Sequence, residues 1–303
     1  MSTEIGVDYS THDNGQGLCR SGDKAGPGPG RPPRPSLPPC ARLPINRCNL
    51  PAVILGSVTF QQHPAPLKLD GVEELHRDLF ARLARLDRPH HRAQVFADYM
   101  TVVFRLEHLD EAGLSPGRAR GRAKANWMRT LRGWAFDADG REAAALKGWV
   151  ESRFGLVPRH HGVPLRDPAD PAYLRYQEMR ARGLYGTNAL EAQLDLVYAY
   201  CQYEFARQWP ERSHLRLFRG VNRLDAYELL ADLGGDRRVV LLNSVSSFST
   251  DRNRAGEFGD TILSADLPLA KVLFHCRLLP GVLQGEDEYL VIGGACEVGF
   301  GTF

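Results

Sequence analysis

The hydrophobic pattern of the chain changes its period once, near Leu215, and this change constrains the fold more than any other feature of the sequence. Before Leu215, apolar residues recur every three or four positions, as in Leu190, Leu194 and Val197, which is typical of amphipathic helices. After it, apolar residues alternate in short runs, as they do in strands. Helices followed by strands, rather than alternating with them, favour an α+β fold. We therefore predict a helical N-terminal half packed on a mixed or antiparallel sheet.

The domain organisation follows from the composition. Between residues 21 and 39, eleven of the nineteen residues are glycine or proline, which buries too little apolar surface to offset the entropy of ordering. We predict that residues 1–41 form a disordered leader and that residues 42–303 form a single domain. Within that domain, residues 42–210 are expected to be mainly helical and residues 211–303 to be rich in strands.

Apolar spacing and capping residues place the individual elements. Asp70 with Glu73 and Asn188 with Glu191 both match the pattern of a capping box at the start of a helix. The predicted helices cover about 70–86, 92–109, 121–135, 141–154, 173–182, 188–205, 225–233 and 252–258. The predicted strands cover 215–219, 238–244, 261–266, 271–276, 288–292 and 296–299, and residues 155–172 form a predicted loop.

The bulk composition limits the class of protein. A net charge of +2 argues neither for nor against nucleic acid, but no nucleic-acid-binding motif accompanies it. No apolar run approaches the ~18 residues of a membrane span, and residues 1–20 lack the apolar segment of a secretory signal, so we expect a cytoplasmic protein. The six cysteines are irregularly spaced without a Cys-x-x-Cys pattern. We therefore predict reduced thiols and no metal site.

A window of basic residues lies in the helical half, where no acidic residue occurs between Ala112 and Phe136. Two interpretations stay open for it: a solvated helix face, and a docking surface for an acidic protein. The basic residues of this window are Arg118, Arg120, Arg122, Lys124, Arg129 and Arg132.

Two glutamates, Glu286 and Glu288, stand at the start of an apolar run that is rich in β-branched residues. If an extended backbone reaches from Glu288 back to Glu286, both side chains lie on one side of the sheet, roughly 6–7 Å apart. Such a pair can address one small reacting centre. The alternative interpretation is a solvated acidic loop before a strand.

An arginine ends the first predicted strand, in which Leu215, Leu217 and Arg219 share one face. A guanidinium held in this way suits bidentate binding of a diphosphate. The following residue, Gly220, would let a ligand approach the backbone closely. A buried structural ion pair is the alternative role for Arg219.

Hydroxyl groups follow the predicted strand 238–244 and precede a short predicted helix. Ser249 and Thr250 have the chemistry to hold a ribose or an active-site carboxylate, and the ring of Phe248 offers a stacking surface. Helix capping by Ser249, Thr250 or Asp251 is the alternative. No Gly-x-Gly-x-x-Gly motif follows a strand, which disfavours a dehydrogenase.

The order of Arg219, Ser249-Thr250 and Glu286-x-Glu288 resembles the Arg-Ser-Glu class of mono-ADP-ribosyltransferases. Residues 43–51, 183–194 and 285–294 are similar to the bacterial dinitrogenase reductase ADP-ribosyltransferases, and the resemblance covers 43–303. It implies a split β-sheet core of the ADP-ribosyltransferase type. It also implies transfer of ADP-ribose from NAD to one arginine of dinitrogenase reductase, which inactivates nitrogenase, and regulation by a PII signalling protein.

The implied reaction gives each acid a role, with NAD as a consumed co-substrate. Nicotinamide leaves as a neutral ring, so the site needs no general acid, in contrast to a sugar hydrolase. We assign Glu288 to stabilise the oxocarbenium-like ribose, and Glu286 to bind and deprotonate the acceptor arginine. Arg219 is assigned to the diphosphate, and Ser249 to orienting Glu288 or the ribose on the nicotinamide side.

The predicted NAD-binding residues are Arg219, Gly220, Phe248, Ser249 and Thr250. The Arg-Ser-Glu class usually reads Ser-Thr-Ser, whereas Asp251 occupies the third position here. Ser246 and Ser247 offer another register, so three serines remain candidates for the contact with NAD.

Two other functions are compatible with parts of the same pattern. An NAD glycohydrolase, in which water replaces the acceptor arginine, would need Arg219 and Glu288 but not Glu286. A non-catalytic protein-binding regulator would use the basic window and tolerate the loss of both glutamates.

Overall fold

The computed structural model describes residues 35–107, 125–222, 227–279, 281 and 287–302. The helices of these residues are α1 (Ala52–Leu55), α2 (Val58–Gln62), α3 (Val72–Leu75), α4 (Arg77–Ala84), α5 (Pro89–Val103), α6 (Trp127–Phe136), α7 (Arg141–Phe154), α8 (Pro171–Leu184), α9 (Leu190–Gln208) and α10 (Arg252–Gly256). The strands are β1 (His160–His161), β2 (Val163–Pro164), β3 (His214–Val221), β4 (Glu228–Gly234), β5 (Arg237–Ser249), β6 (Thr261–Pro268), β7 (Val272–His275) and β8 (Glu288–Thr302). The predicted α+β fold is confirmed.

The core of the helical part forms around α7 and α9, as the apolar spacing predicts. The stripe on α9 is buried along its whole length, and α7 contributes Leu146, Trp149, Val150 and Phe154 to the same core. An aromatic stack between Phe96 of α5 and Tyr200 of α9, with ring centroids 4.1 Å apart, joins a third helix to this pair. The buried residues of the α9 stripe are Leu190, Leu194, Val197, Tyr198, Cys201 and Phe205.

The first long helix is predicted wrongly, because the structure breaks it into α3 and α4 at His76. The Asp70–Glu73 capping box is absent, and Gly71 precedes α3 with a left-handed φ of 72°. His76 is buried, and its Nδ1 lies 3.0 Å from the hydroxyl of Tyr99. This contact with α5 turns the chain and leaves Leu75, a predicted core residue, 78% exposed.

Other helix ends also differ from the periodic pattern. Helix α5 begins at Pro89, where proline suits the first turn, and ends at Val103, with Val102 and Val103 exposed. The predicted continuation to residue 109 is wrong for residues 104–107, which form turns and bends, and residues 108 and 109 lie outside the described residues. The capping box at α9 is also absent. Asn188 instead donates to the carbonyl of Phe104, and Ala189 precedes α9 with a φ of 49°.

One sheet element is of the opposite kind to the prediction, because residues 228–234 form β4 rather than a helix. Glu228 pairs with Leu241 and Leu229 with Val240 of β5, so the neighbouring strand satisfies the β4 backbone. Gly234, the last residue of β4, and Gly235, in the turn that connects it to β5, have φ of 86° and 63°. Two glycines with positive φ are typical of a tight hairpin, and this hairpin overrides the helical spacing.

The remaining strands lie where the alternation predicts them, with two extensions. The two short strands predicted at 288–292 and 296–299 are one strand, β8. The strand predicted to end at residue 244 continues to Ser249, so its serines lie within β5 rather than after it. The predicted loop 155–172 contains the small β1–β2 hairpin.

The six-stranded sheet has the order β4-β5-β3-β6-β8-β7, with a further pairing of β5 with β8, and every pairing is antiparallel. Phe218 of β3 faces Ser249 of β5, and Ser249 faces Glu288 of β8. The three strands lie far apart in the sequence, and their ends therefore meet on the same side of the sheet. This register positions the site described below.

The boundary of the predicted leader lies too far along the chain. Residues 1–34 are outside the described residues, but Leu37 is 1% exposed and belongs to the hydrophobic core. A 3₁₀ turn at Pro39–Ala41 follows, and Arg42 then pairs with Leu156. Residues 35–41 are thus part of the packed domain, because the apolar side chains of Leu37 and Ala41 interrupt the run of prolines.

Three expectations drawn from composition concern what the described residues contain. The five cysteines among them are free, which agrees with reduced thiols. No helix of the described ranges is long and apolar enough to cross a membrane. Their His, Cys, Asp and Glu side chains form no group of three or more that could hold a metal ion.

Candidate active site

Arg219 lies near the end of β3, above the buried side chains of Leu215 and Leu217. Its Nε donates to the hydroxyl of Tyr227 at 2.9 Å, and its Nη1 donates to the carbonyl oxygen of Ser247 at 2.7 Å. Both acceptors are neutral, so neither of these hydrogen bonds is the buried ion pair that was the alternative role for Arg219. The two hydrogen bonds hold the guanidinium in place at the end of β3.

The close approach at Gly220 serves the chain itself. A Cβ atom on Gly220 would lie 1.9 Å from the carbonyl oxygen of Ala255, so the absence of a side chain lets α10 pack directly on β3. Gly220 is predicted to let a ligand approach the backbone, and in the structure it has a packing role between β3 and α10. Its backbone nevertheless lines the cleft described below.

The hydroxyl group that reaches Glu288 is that of Ser247. Ser247 Oγ donates to Glu288 Oε1 at 2.5 Å and accepts from the indole Nε1 of Trp134 at 2.8 Å. Ser249, the residue predicted to orient Glu288, accepts instead from the backbone N–H of Asp251 at 3.0 Å. Ser247, rather than Ser249, is therefore the serine that contacts Glu288. Which serine contacts NAD stays a prediction.

The residues that follow β5 form a clamp on the start of β8. The backbone N–H of Thr250 donates to Asp287 Oδ2 at 3.1 Å, and the Thr250 hydroxyl donates to the same oxygen. Arg277 contacts the other oxygen of Asp287 at 3.3 Å. Asp251 accepts from the N–H groups of Asn253 and Arg254 and caps α10, as the capping alternative proposed.

Phe248 does not offer the predicted stacking surface. Because side chains alternate along β5, its ring faces away from Ser247 and Ser249, is 3% exposed and belongs to the hydrophobic core. The exposed ring at this cleft is that of Phe258, which is 59% exposed. Phe248 is buried because β5 extends through residue 249, so side chains at 247, 248 and 249 alternate between the two faces of the sheet.

These groups line one cleft with a volume of about 330 Å³, which we call the active-site cleft. It brings together the predicted Arg219, Ser249 and Glu288, and Glu288 itself is 7% exposed. Glu286, the second predicted acid, lies outside the described residues. The residues that line the cleft are Trp134, Ala135, Ala138, Phe218, Arg219, Gly220, Ser247, Phe248, Ser249, Arg254, Ala255, Phe258, Asp287 and Glu288.

A second cavity, of about 270 Å³, adjoins the active-site cleft and shares Trp134, Ala138, Arg219 and Ser247 with it. Four cationic side chains line it, against two carboxylates. The cations are Lys147, Arg159, Arg166 and Arg219, and the carboxylates are Asp139 and Glu228. The adjoining cavity is therefore electropositive, which suits an anionic ligand.

The lysine of this cavity is a buried structural group. Lys147 is 1% exposed, and its Nζ donates to the carbonyl oxygens of Ala138 and His160 and to Asp139 Oδ1. Burial lowers the pKa of Lys147, and burial also lowers the pKa of the neighbouring His161 to about 4. His161 is therefore neutral at pH 7, and its Nδ1 lies 3.1 Å from Lys147 Nζ.

Three larger cavities, of about 650, 660 and 530 Å³, lie elsewhere in the described part of the chain. None of them is lined by Arg219 or Glu288. Volume alone therefore does not identify the site, and we give more weight to the convergence of an arginine, a serine and a glutamate.

Three residues of the site, Trp134, Tyr227 and Asp287, are not among the predicted site residues. The sequence pattern predicts only a helix for Trp134 and no role for Tyr227. Asp287 has one signal in the sequence, its place next to Glu288. No local pattern marks Trp134 or Tyr227, because both reach the site through tertiary contacts.

The basic window is only partly described. Arg118, Arg120, Arg122 and Lys124 lie outside the described residues, so both interpretations of the window stay predictions. Of the remaining two, Arg132 donates to the carbonyl of Gly281, and Arg129 lies 3.7 Å from Glu142.

In this α+β fold an arginine, a serine and a glutamate meet at the ends of neighbouring strands of an antiparallel sheet. This arrangement matches the Arg-Ser-Glu pattern, so the fold and the site indicate the class of ADP-ribosyltransferases. The sequence model of the family "Dinitrogenase reductase ADP-ribosyltransferase (DRAT)" matches residues 45–300. The chain belongs to this family. It is also 39% identical, over 253 residues, to the NAD(+)–dinitrogen-reductase ADP-D-ribosyltransferase of Rhodospirillum rubrum, a match that covers 82% of this chain and 91% of the relative. No solved structure matches the chain.

Proposed function

We propose that the active-site cleft transfers ADP-ribose from NAD to an arginine side chain of dinitrogenase reductase, with release of nicotinamide and inactivation of nitrogenase. The observation that supports this proposal is the meeting of Arg219, Ser247 and Glu288 in one cleft of a chain of this family. The relative from Rhodospirillum rubrum bears the name of the same activity.

The chemistry assigns the main catalytic work to Glu288. Departure of nicotinamide leaves positive charge on the ribose, and a fixed carboxylate beside it stabilises that charge. Glu288 is buried and hydrogen-bonded by Ser247, so it is oriented before the substrate arrives. Since the leaving group is already cationic in NAD, no proton donor is needed.

Activation of the acceptor arginine is assigned to Glu286. An arginine with its ordinary pKa above 12 is protonated at pH 7 and is a poor nucleophile. A carboxylate that binds the guanidinium can orient one nitrogen and accept its proton as the new bond forms. Residue spacing in the Glu-x-Glu sequence supports this part of the proposal.

The two adjoining cavities divide NAD between them in our proposal. Nicotinamide and its ribose lie in the active-site cleft, which Gly220 and Ser249 line and where Phe258 presents an exposed ring. Thr250, which follows Ser249, is the third proposed NAD-binding position. The ADP half lies in the electropositive second cavity, with Arg219 between the two cavities at the diphosphate.

Substitution of the two glutamates tests the function. In the full chain, Glu288→Gln is expected to lower both ADP-ribose transfer and NAD hydrolysis by at least about a hundredfold, because charge stabilisation is lost. Glu286→Gln is expected to lose transfer to arginine while retaining some hydrolysis. The measurement uses labelled NAD with purified dinitrogenase reductase. Glu178→Gln, at an exposed site on α8, serves as the matched control.

The same measurement separates the alternatives. Near-normal turnover by Glu288→Gln would contradict the proposal and favour a non-catalytic regulator. Hydrolysis of NAD by the unmodified protein without label on any arginine would favour a glycohydrolase. An equal loss of transfer and hydrolysis in Glu286→Gln would contradict the separate roles of the two acids.

Two further elements of the proposal come from the family resemblance. A PII signalling protein is proposed as a regulator, and a cytoplasmic location is proposed for the protein. A binding measurement between the two purified proteins tests the first, and the absence of a complex at micromolar concentrations would contradict it. Cell fractionation tests the second.

A further inference from the structure

A line of hydrogen bonds runs from the helical part of the domain to the proposed catalytic glutamate. The indole Nε1 of Trp134, on α6, lies 2.8 Å from Ser247 Oγ, which lies 2.5 Å from Glu288 Oε1. Trp134 is 4% exposed and Glu288 is 7% exposed. Trp134 is not part of any motif in the sequence from which a function is predicted.

The chemistry of the three groups fixes the direction of every proton in this line. An indole N–H can only donate a hydrogen bond, and an ionised carboxylate can only accept one. Ser247 has one proton, and its oxygen accepts from Trp134. The hydroxyl proton must therefore point at Glu288.

We propose that Trp134 is a positioning residue for the reaction, acting through Ser247 to hold Glu288 oriented and ionised. This inference rests on the proposed function, because it assumes that Glu288 stabilises the ribose cation. It adds to that function a residue of α6, which lies outside the arginine, serine and glutamate motifs.

The same geometry opposes protonation of Glu288. Protonation of Glu288 at Oε1 would place two protons between Oε1 and Ser247 Oγ, so the hydroxyl proton would have to turn away, and the indole N–H of Trp134 already occupies another direction around Oγ. Without the indole N–H, the hydroxyl group is free to rotate and accept that proton. Among the described residues, the other charged side chains that line the cleft around Glu288 are Arg219 of β3, Arg254 of α10 and Asp287, and Arg277 beyond β7 contacts Asp287.

The tryptophan is itself firmly held. Asn126 caps α6 by accepting from the N–H of Arg129, and Leu131 and Thr130 of the same helix are buried. The ammonium group of Lys147 lies 5.7 Å from the centre of the Trp134 ring. A rigid donor of this kind costs little reorganisation when the reaction begins.

Trp134→Phe tests the inference, because it keeps an aromatic ring and removes the N–H group. In the full chain, kcat for NAD hydrolysis and for transfer is expected to fall about tenfold, with the KM for NAD changed less than about twofold. The acid limb of the pH–rate profile is expected to move to higher pH by about one unit. Thermal unfolding verifies that the variant is folded.

Trp127→Phe is the matched control. Trp127 lies on the same helix and is 1% exposed, and its indole nitrogen has no hydrogen-bond partner among the described residues. Its substitution is expected to affect stability without moving the pH–rate profile. A shift of the profile in this control would overturn the inference, because it would attribute the effect to packing of α6.

Ser247→Ala provides a second test that does not depend on a large core substitution. It is expected to reproduce the lower kcat and the shifted acid limb, and Trp134→Phe combined with Ser247→Ala is expected to cost no more than Ser247→Ala alone. Fully additive losses, or a wild-type profile in both single variants, would overturn the inference. Activity retained by Glu288→Gln would contradict the proposed function itself. If Glu288→Gln is inactive while Trp134→Phe and Ser247→Ala behave like the unmodified protein, the proposed function stands and this inference fails.

Discussion

Ser247 and Ser249 lie two residues apart on one face of β5, yet their hydroxyl groups have different partners. Ser247 faces Trp134 and Glu288, whereas Ser249 is bound to the turn that leads into α10. A strand places both side chains on the cleft side, but only the tertiary register selects which one meets the carboxylate. His275 shows the same dependence on surroundings, because it is enclosed between Phe205 and Tyr289 with ring centroids 5.1 and 5.4 Å away.

His275 is expected to make stability depend on pH. Burial, with a smaller contribution from Arg277, lowers the pKa of His275 from 6.5 to about 4. Below pH 6.5 the unfolded chain binds a proton that the folded chain excludes until about pH 4. The contribution is therefore complete above pH 6.5 and is lost as the pH falls toward 4. Between pH 7 and pH 5 this amounts to about 2 kcal/mol.

His275→Phe is expected to remove that loss while keeping the stacked arrangement. The free energy of unfolding, measured by denaturant titration at pH 7 and pH 5, should differ by about 2 kcal/mol less in the variant than in the unmodified protein. His63→Phe, at an exposed position, is the control. An unchanged difference in His275→Phe would show that the ring is protonated in the folded protein.

At the scale of elements, α5 and α9 are joined by a buried ion pair. Arg92 donates to both oxygens of Glu204 at 2.6 and 2.7 Å, and both side chains are 2% exposed. Arg92 also donates to the carbonyls of Leu86 and Asp87, just before α5. The pair therefore fixes the entry into α5 and its position against α9.

Glu204→Gln is expected to lower the free energy of unfolding by about 3–5 kcal/mol, because it leaves the Arg92 guanidinium buried without a compensating charge. Denaturant unfolding measures the change. The double variant Arg92→Met with Glu204→Leu is expected to lose less free energy of unfolding than Glu204→Gln alone. A double variant that is less stable than Glu204→Gln would contradict this explanation.

At the scale of the whole molecule, the two parts of the domain build the site together. The second cavity combines Lys147, Arg159 and Arg166, from residues before β3, with Asn243 and Ser246 of β5. Trp134 and Arg219 line both cavities. The part of the chain before β3 thus supplies Trp134 and three of the four cations, and the sheet supplies Arg219, Ser247 and Glu288.

Inhibition by fragments of NAD tests this division. Arg166→Ala is expected to weaken competitive inhibition by ADP about tenfold, because one phosphate contact is lost, and to leave inhibition by nicotinamide unchanged. Arg175→Ala, an exposed arginine on α8, is the control. Equal weakening of both inhibitors, or of neither, would contradict the placement of the ADP half in the second cavity.

Local patterns in the amino-acid sequence predict the α+β class, the boundaries of α7, the core stripe of α9, and the positions of Arg219 and Glu288 at strand ends. These features depend on which face of a local segment is apolar, and periodicity reports that directly. Four other features follow from the folded chain alone: the break at His76, the strand at 228–234, the ring of Phe248 in the core, and Ser247 as the partner of Glu288. Each of these depends on a backbone pairing or a hydrogen bond with residues distant in the sequence, and such contacts outweigh local propensity by satisfying buried polar groups.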